Sequence, residues 1–259
     1  MKVTLLAHTQ LSEKFYDSFD IYGEFSEYEG NKVDRSNATD GQIISLSAIR
    51  TCYSSNAPSE IFNLEGEKYF GKQASDGEGG TDADRLIRHI MKSGHTSTME
   101  HLNFTFAVEG VSRSLLAQLT RHRHFSFSVQ SQRYVKFGSD DKSGGMDYIT
   151  PHTVNDEKEM IGLAGVPYAA TEIYKKAMKK AQKYYDELRE AGVPAEDARM
   201  VLPNAATCNL VMTGNLRSIL DFCSKRLSKQ AQHEIRMLAE KLRDEVVAVE
   251  PWTKSFFGK

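Results

Sequence analysis

The sequence predicts a mixed α/β (α+β) protein, a small and mainly antiparallel sheet packed by several long helices. Three observations carry that expectation. Segments with period-two alternation are few and short, whereas apolar residues recur at helical spacing over much of the chain. No G-x-G-x-x-G follows a strand and no P-loop occurs, so the doubly wound nucleotide folds are unsupported. The 259 residues are 40% hydrophobic and 26% charged, an ordinary globular balance that buries a substantial core. With no internal repeat and no linker, one domain over 1–259 is expected, with loop insertions at about 54–80 and 138–150.

In order, Lys2 to Ala7 reads as a first strand and leaves no room for a signal peptide. Asn37 to Tyr53 reads as a helix with Ile43, Ile44, Leu46 and Ile49 inward. Residues 54–80 are rich in Gly, Ser, Asn and Glu and read as a loop. Thr81 with Asp84 forms a capping box for a helix using Leu86, Ile87, Ile90 and Met91, stopped by Gly94. Leu102 to Glu109 alternates Phe104, Phe106 and Val108 with polar or small residues, the mark of a strand buried on one face. Gly110 is expected to turn the chain into a helix from Val111 to Leu119, and Tyr134 to Phe137 reads as a short strand.

The longest helix is expected over Pro167 to Ala191, with Ala170, Ile173, Tyr174, Ala177, Ala181, Tyr184 and Leu188 facing the core. Pro194 opens a short helix carrying Arg199 and ended by Pro203. Thr207 to Thr213 alternates as a strand, and Asn215 caps a helix with Leu216, Ile219, Leu220, Cys223 and Leu227 inward. The last helix, Lys229 to Val249, uses Ala231, Ile235, Leu238, Leu242 and Val246 and ends at Pro251-Trp252.

A formal net charge of -2 implies no general affinity for nucleic acid or for a membrane surface. No apolar run approaches the roughly 18 residues that span a bilayer. Cys52, Cys208 and Cys223 have neither disulfide-framework nor zinc spacing, and a reduced, cytoplasmic setting is expected.

Against that neutral background, Arg121 to Tyr134 packs three arginines, two histidines and three serines with Phe125, Phe127, Val129 and Tyr134 between them. So many cations are costly to bury without anions to meet them. A purely solvated loop has no use for the interleaved apolar residues. The cluster therefore predicts a semi-buried site for a polyanionic, aromatic ligand such as a nucleotide. A module that binds single-stranded RNA through Arg, His and Phe is the alternative from another class, and the absence of a basic face elsewhere counts against it.

Other chemistries find less support. His95 and His101, or His122 and His124, lack a neighbouring carboxylate or thiolate at ligand spacing, so no metal site is predicted. Cys208 and Cys223 fall on apolar faces and behave as small hydrophobes. Ser131 is the candidate if a nucleophile is needed, with His122 or His124 as the adjacent base a serine requires, and hydrogen-bonding a phosphate is its favoured role. Arginine gives planar, bidentate recognition of phosphate and imide edges. Arg121, Arg123, Arg133, Arg199, Arg217 and Arg226 exceed the needs of one phosphate, which suits two anionic partners.

Arg121-His122-Arg123, seven residues and then Ser131-x-Arg133 resembles the signature of the flavin-dependent thymidylate synthases. The likeness extends to Gly94 through His101, Gln118 to Arg121, Ala198 through Pro203, Asn215 to Ser218, and Arg226 through Gln232. It implies the thymidylate synthase-complementing fold and reductive methylation of dUMP to dTMP. The carbon donor would be 5,10-methylenetetrahydrofolate, the reductant NADPH and the cofactor FAD. A homotetramer with active sites shared between subunits is also implied.

By position, the resemblance assigns FAD to Ser97, Arg121, His122, Arg123, Val129, Asn215, Leu216, Arg217 and Asp221, with His95 near flavin and folate. It assigns dUMP to Gln118, Leu119, Thr120, Arg121, Val129, Gln130, Ser131, Gln132, Arg133 and Arg199. Arg226 would be the catalytic group at the uracil edge. Two positions depart from the family pattern. Val129 stands where a polar side chain is frequent, and Asp221 where an amide or histidine is frequent. The four-residue spacing equally allows Asp221 to pair with Arg217.

Overall fold

A computed structural model describes residues 1–17, 38–162 and 165–258. The fold is mixed α/β. One sheet has the strand order β1-β2-β6-β3, from β1 (Lys2–His8), β2 (Asn103–Ser112), β3 (Ser126–Val129) and β6 (Thr207–Asn215). Antiparallel pairing shows in the crossed ends. Thr9 N donates to Asn103 O, and Lys2 pairs with Glu109. On the next strand, Thr105 Oγ1 lies 2.9 Å from Thr213 Oγ1, and Gly110 N donates to Asn209 Oδ1. The alternation in β2 holds: Phe104, Phe106 and Val108 are buried.

The residues divide into two compact units. The first holds residues 1–4, 107–212 and 226–239; the second holds 5–106, 213–225 and 240–259. The described residues of the second unit build their core from α2 (Asp40–Tyr53), α3 (Ile61–Phe70) and α4 (Asp82–Lys92). Ile43, Leu46, Phe62, Tyr69, Phe70 and Ala83 pack there, with Phe15 of the short α1 (Glu13–Asp17) against them.

Asn37, the expected start of α2, lies outside the described residues. The helix is capped by Thr39, whose Oγ1 accepts from Gln42 N. The α4 capping box is present, and Gly94 ends that segment with φ +81, a left-handed conformation that favours glycine. The expected loop at 54–80 is corrected: α3 lies inside it. Its buried residues Ile61, Phe62, Glu65, Gly66, Tyr69 and Phe70 recur at helical spacing, a pattern masked by the polar composition around it.

In the first unit, the expected helix from Val111 begins at Arg113 instead. Ser112 is extended, and its Oγ accepts from Leu115 N to cap α5 (Arg113–Leu119), so β2 runs on through Gly110 and Val111. The short strand lies at Ser126–Val129, not at Tyr134 to Phe137. Val135 N donates to Ser131 O and closes a turn there, and Tyr134 is 80% exposed.

The longest helix, α6, is Ala170–Glu190. Pro167–Ala169 is β5, paired antiparallel with β4 (Glu159–Ile161). Its inward face is also shifted from the expected one. Met178 and Tyr185 are buried while Ile173 and Tyr184 are exposed. Tyr185 packs with Phe137 and with Ala198 of α7 (Ala195–Ala198), which passes into a single 3-10 turn, Arg199–Val201.

The helix α8 spans Leu216–Arg226, and α9 starts at His233 rather than Lys229, running to Val249. Ser228 accounts for the later start. Its carbonyl accepts from Ala231 N and its hydroxyl from Gln230 N, a turn that competes with helix. No helix among the described residues is long and apolar enough to cross a membrane.

Candidate active site

The first unit carries the arginine cluster. The α5 helix ends at Leu119, and Thr120 to Phe125 turn tightly, His122 N donating to Leu119 O and Phe125 N to His122 O. Leu119 and Phe125 are buried and anchor the turn, which leaves Thr120, Arg121 and Arg123 on the surface. The guanidiniums of Arg121 and Arg123 meet no hydrogen-bond or ion-pair partner among the described residues. Two cations held beside each other on a fixed turn are a ready receptor for an anion.

Between them, His122 faces inward. Its Nε2 accepts from Arg226 Nε at 3.1 Å, a link between segments 104 residues apart. The imidazole therefore carries no proton at Nε2, and Arg226 keeps its two terminal nitrogens for a ligand. Gln118, on α5, donates through Nε2 to Gln232 Oε1 at 2.9 Å.

The strand β3 follows. Gln130 N donates to Asn209 O of β6, which fixes where Val129 and Ser131 stand. Ser131 Oγ accepts from Arg133 N, so its hydroxyl caps the turn. Gln132 is 7% exposed, and its Nε2 is buried without a hydrogen-bond partner. A buried amide donor left so is costly, and an accepting ligand would remove the cost. Arg133 Nε donates to Glu196 Oε2 at 3.0 Å, and Arg199 Nε donates to Glu196 O at 2.9 Å. Glu196 thus gathers two arginines expected to hold the nucleotide.

The second unit carries the other expected residues. Gly94 delivers the chain to His95, which caps the 3-10 turn Thr96–His101. Ser97 is exposed on that turn. Leu216 N donates to Leu102 O, seating the start of α8 at the end of the same segment. Asn215 caps α8, its Oδ1 accepting from Ser218 N and Oγ. Arg217 pairs with Glu100 at 2.5 Å, and Asp221 with Lys225 at 2.7 Å. The pairing of Asp221 with Arg217 allowed by their spacing is therefore corrected. Each finds a nearer partner.

The cysteines are placed as inert groups. Cys208 and Cys223 are buried and in no disulfide, and burial pushes both thiols up, Cys223 to about 12. Cys52 is exposed.

The partners Glu196, Gln232 and Glu100 were not singled out in the sequence. Gln232 and Glu100 carried a signal, each lying in a segment that matches the family.

Together the fold and the site define an α/β protein that presents unpaired arginines and an orphaned amide to an anionic, hydrogen-bond-accepting ligand. Comparison with known families sharpens this. The model of the thymidylate synthase complementing protein family matches residues 36–252, and the chain belongs to that family.

A flavin-dependent thymidylate synthase of Haloarcula marismortui is 40% identical over 169 residues, 61% of this chain and 68% of the relative. One from Geobacter sulfurreducens is 39% identical over 171 residues, 66% of this chain and 68% of the relative. Among solved structures, the UMP/dUMP methylase PolB from Streptomyces cacaoi, bound with 5-Br dUMP, superposes with a TM-score of 0.65. It is 22% identical and covers 99% of this chain and 94% of its own. ThyX from Helicobacter pylori, complexed with FAD and dUMP, gives 0.59 at 22% identity, with 95% and 93% covered. These likenesses establish the shared fold.

Proposed function

We propose that this protein is a flavin-dependent thymidylate synthase that methylates dUMP at C5, taking its carbon from 5,10-methylenetetrahydrofolate and its reducing equivalents from NADPH. The observation that carries the reading is the unpaired Arg121 and Arg123 flanking a His122 that is locked to Arg226. The residues fit two anionic partners. FAD, when bound, would supply the hydride-transfer chemistry.

The chain's own residues bind and polarise. Arg121 and Arg123 of the first unit meet phosphates, and Ser97, Asn215, Leu216, Arg217 and Asp221 are the flavin contacts of the second unit. Gln118, Ser131, Gln132, Arg133 and Arg199 hold the nucleotide, with backbone at Leu119, Thr120, Val129 and Gln130. Arg226 directs its free guanidinium nitrogens to the uracil edge and stabilises the negative charge that builds as C5 becomes nucleophilic. That role is electrostatic and needs no cysteine nucleophile.

Exposed Tyr134 and Met200, beside Arg133 and Arg199, offer apolar surface for contact with a neighbouring subunit, and the homotetramer with shared sites rests on the family resemblance. The uninterrupted family match supports a single functional domain. Three cysteines that form no disulfide support a cytoplasmic setting. The net charge of -2 disfavours the nucleic-acid-binding alternative.

The test is product formation. Purified protein supplied with dUMP, methylenetetrahydrofolate, NADPH and FAD is expected to make dTMP, and omission of FAD from flavin-stripped protein is expected to stop it. Bound FAD with no dTMP under these conditions would refute the proposal.

A further inference from the structure

His95 is held in place by three contacts. Its N donates to Ile90 O at 3.3 Å, its carbonyl accepts from Thr98 Oγ1 at 3.3 Å, and its ring meets Tyr53. Tyr53 is the last residue of α2. Its hydroxyl oxygen lies 3.1 Å from His95 Nδ1, and the rings stand edge-on at 84° with centroids 6.1 Å apart. Neither side chain has another hydrogen-bond partner among the described residues, so His95 Nε2 is unengaged. The contact admits either direction, and a phenol O–H is a stronger donor than an imidazole N–H, which favours O–H donating to Nδ1. The proton of the imidazole then sits on Nε2, the nitrogen turned away from Tyr53.

We propose that Tyr53 is a positioning residue: it fixes the ring orientation and tautomer of His95 so that Nε2–H is offered as a donor to a carbonyl or imine acceptor. That the acceptor belongs to flavin or folate rests on the proposed function; the Tyr53–His95 link does not. The Tyr53 hydroxyl is the hydrogen-bond partner that the described structure gives this ring, so Tyr53→Phe, which keeps the edge-on ring contact, is expected to remove what selects the tautomer.

The experiment uses protein labelled with 15N-histidine, with His95→Gln to assign the resonances and Tyr53→Phe to remove the hydroxyl. In the unaltered protein at neutral pH, His95 is expected to show an unprotonated, hydrogen-bonded Nδ1 and a protonated Nε2. In Tyr53→Phe, Nδ1 is expected to move to the position of a free ring nitrogen. Turnover is expected to fall roughly fivefold, the share of one neutral hydrogen bond, with flavin content and the KM for dUMP unchanged.

A protonated Nδ1 in the unaltered protein, or an unchanged Nδ1 in the variant, would overturn the link, and unchanged turnover would overturn its role. The spectrum of the unaltered protein decides the tautomer even if the variant fails to fold. It can also be read on a protein that holds no flavin, so failure of the link and failure of the flavin reading remain distinct.

Discussion

Cys223 lies on the inner face of α8 with its thiol pushed up to about 12 by burial, far from the state a nucleophile needs at neutral pH. Cys208 is raised for the same reason. Replacing Cys52, Cys208 and Cys223 together by alanine is expected to retain dTMP formation. Complete loss in a folded, flavin-loaded variant would contradict a cysteine-free mechanism. Arg226→Ala has the opposite expectation: flavin content is kept while turnover falls at least a hundredfold, the scale of removing one oriented charge-stabilising donor. Loss of flavin with turnover per bound flavin preserved would reassign Arg226 to the cofactor. At this scale the sequence exposed the cations but not what holds them. Arg121, His122 and Arg123 are conspicuous in a row, whereas Glu196, Glu100 and Gln232 reach their partners across 63 to 117 residues. No local pattern encodes such a meeting.

Elements were legible where periodicity and end signals agreed. Strand β2 shows strict alternation, α4 its capping box, and α8 the Asn215 cap. Helix α3 was hidden because its buried Ile61–Phe62 and Tyr69–Phe70 pairs are separated by a mainly polar stretch that also carries the exposed Leu64. On α6 two neighbouring apolar stripes compete, and packing against Phe137 and Ala198 selects the one through Tyr185.

Helix α3 is tied to α2 by Glu65, which accepts from Arg50 Nε at 2.5 Å, Ser54 Oγ at 2.7 Å and Asn56 Nδ2 at 3.0 Å. Burial pushes this carboxyl up, but the Ser54 and Arg50 hydrogen bonds and the Arg50 charge outweigh it and hold its pKa below the ordinary glutamate value. Glu65 thus contributes stability that is full above about pH 4.3, the unfolded value, and is lost as pH falls through the lower folded value. Glu65→Gln is expected to cost about 1–3 kcal/mol at pH 7, the range for weakening a half-buried charged hydrogen-bond network. Denaturant melts of both proteins at pH 7 and in acid check this. The difference should shrink as pH drops, and a constant difference would show that the charge is irrelevant.

At the scale of the whole molecule, α/β character and few strands were apparent from the sequence, and the two compact units were not. Their segments interleave along the chain, with residues 213–225 separating two pieces of the first unit, so no linker marks a boundary. The expected flavin and nucleotide residues likewise come from both units. Whether FAD and dUMP act together on this protein is tested most directly by anaerobic spectroscopy of the purified protein. A flavin absorption band is expected that NADPH bleaches, and bleaches faster when dUMP is present. A colourless protein that takes up no added FAD and oxidises no NADPH would contradict this expectation.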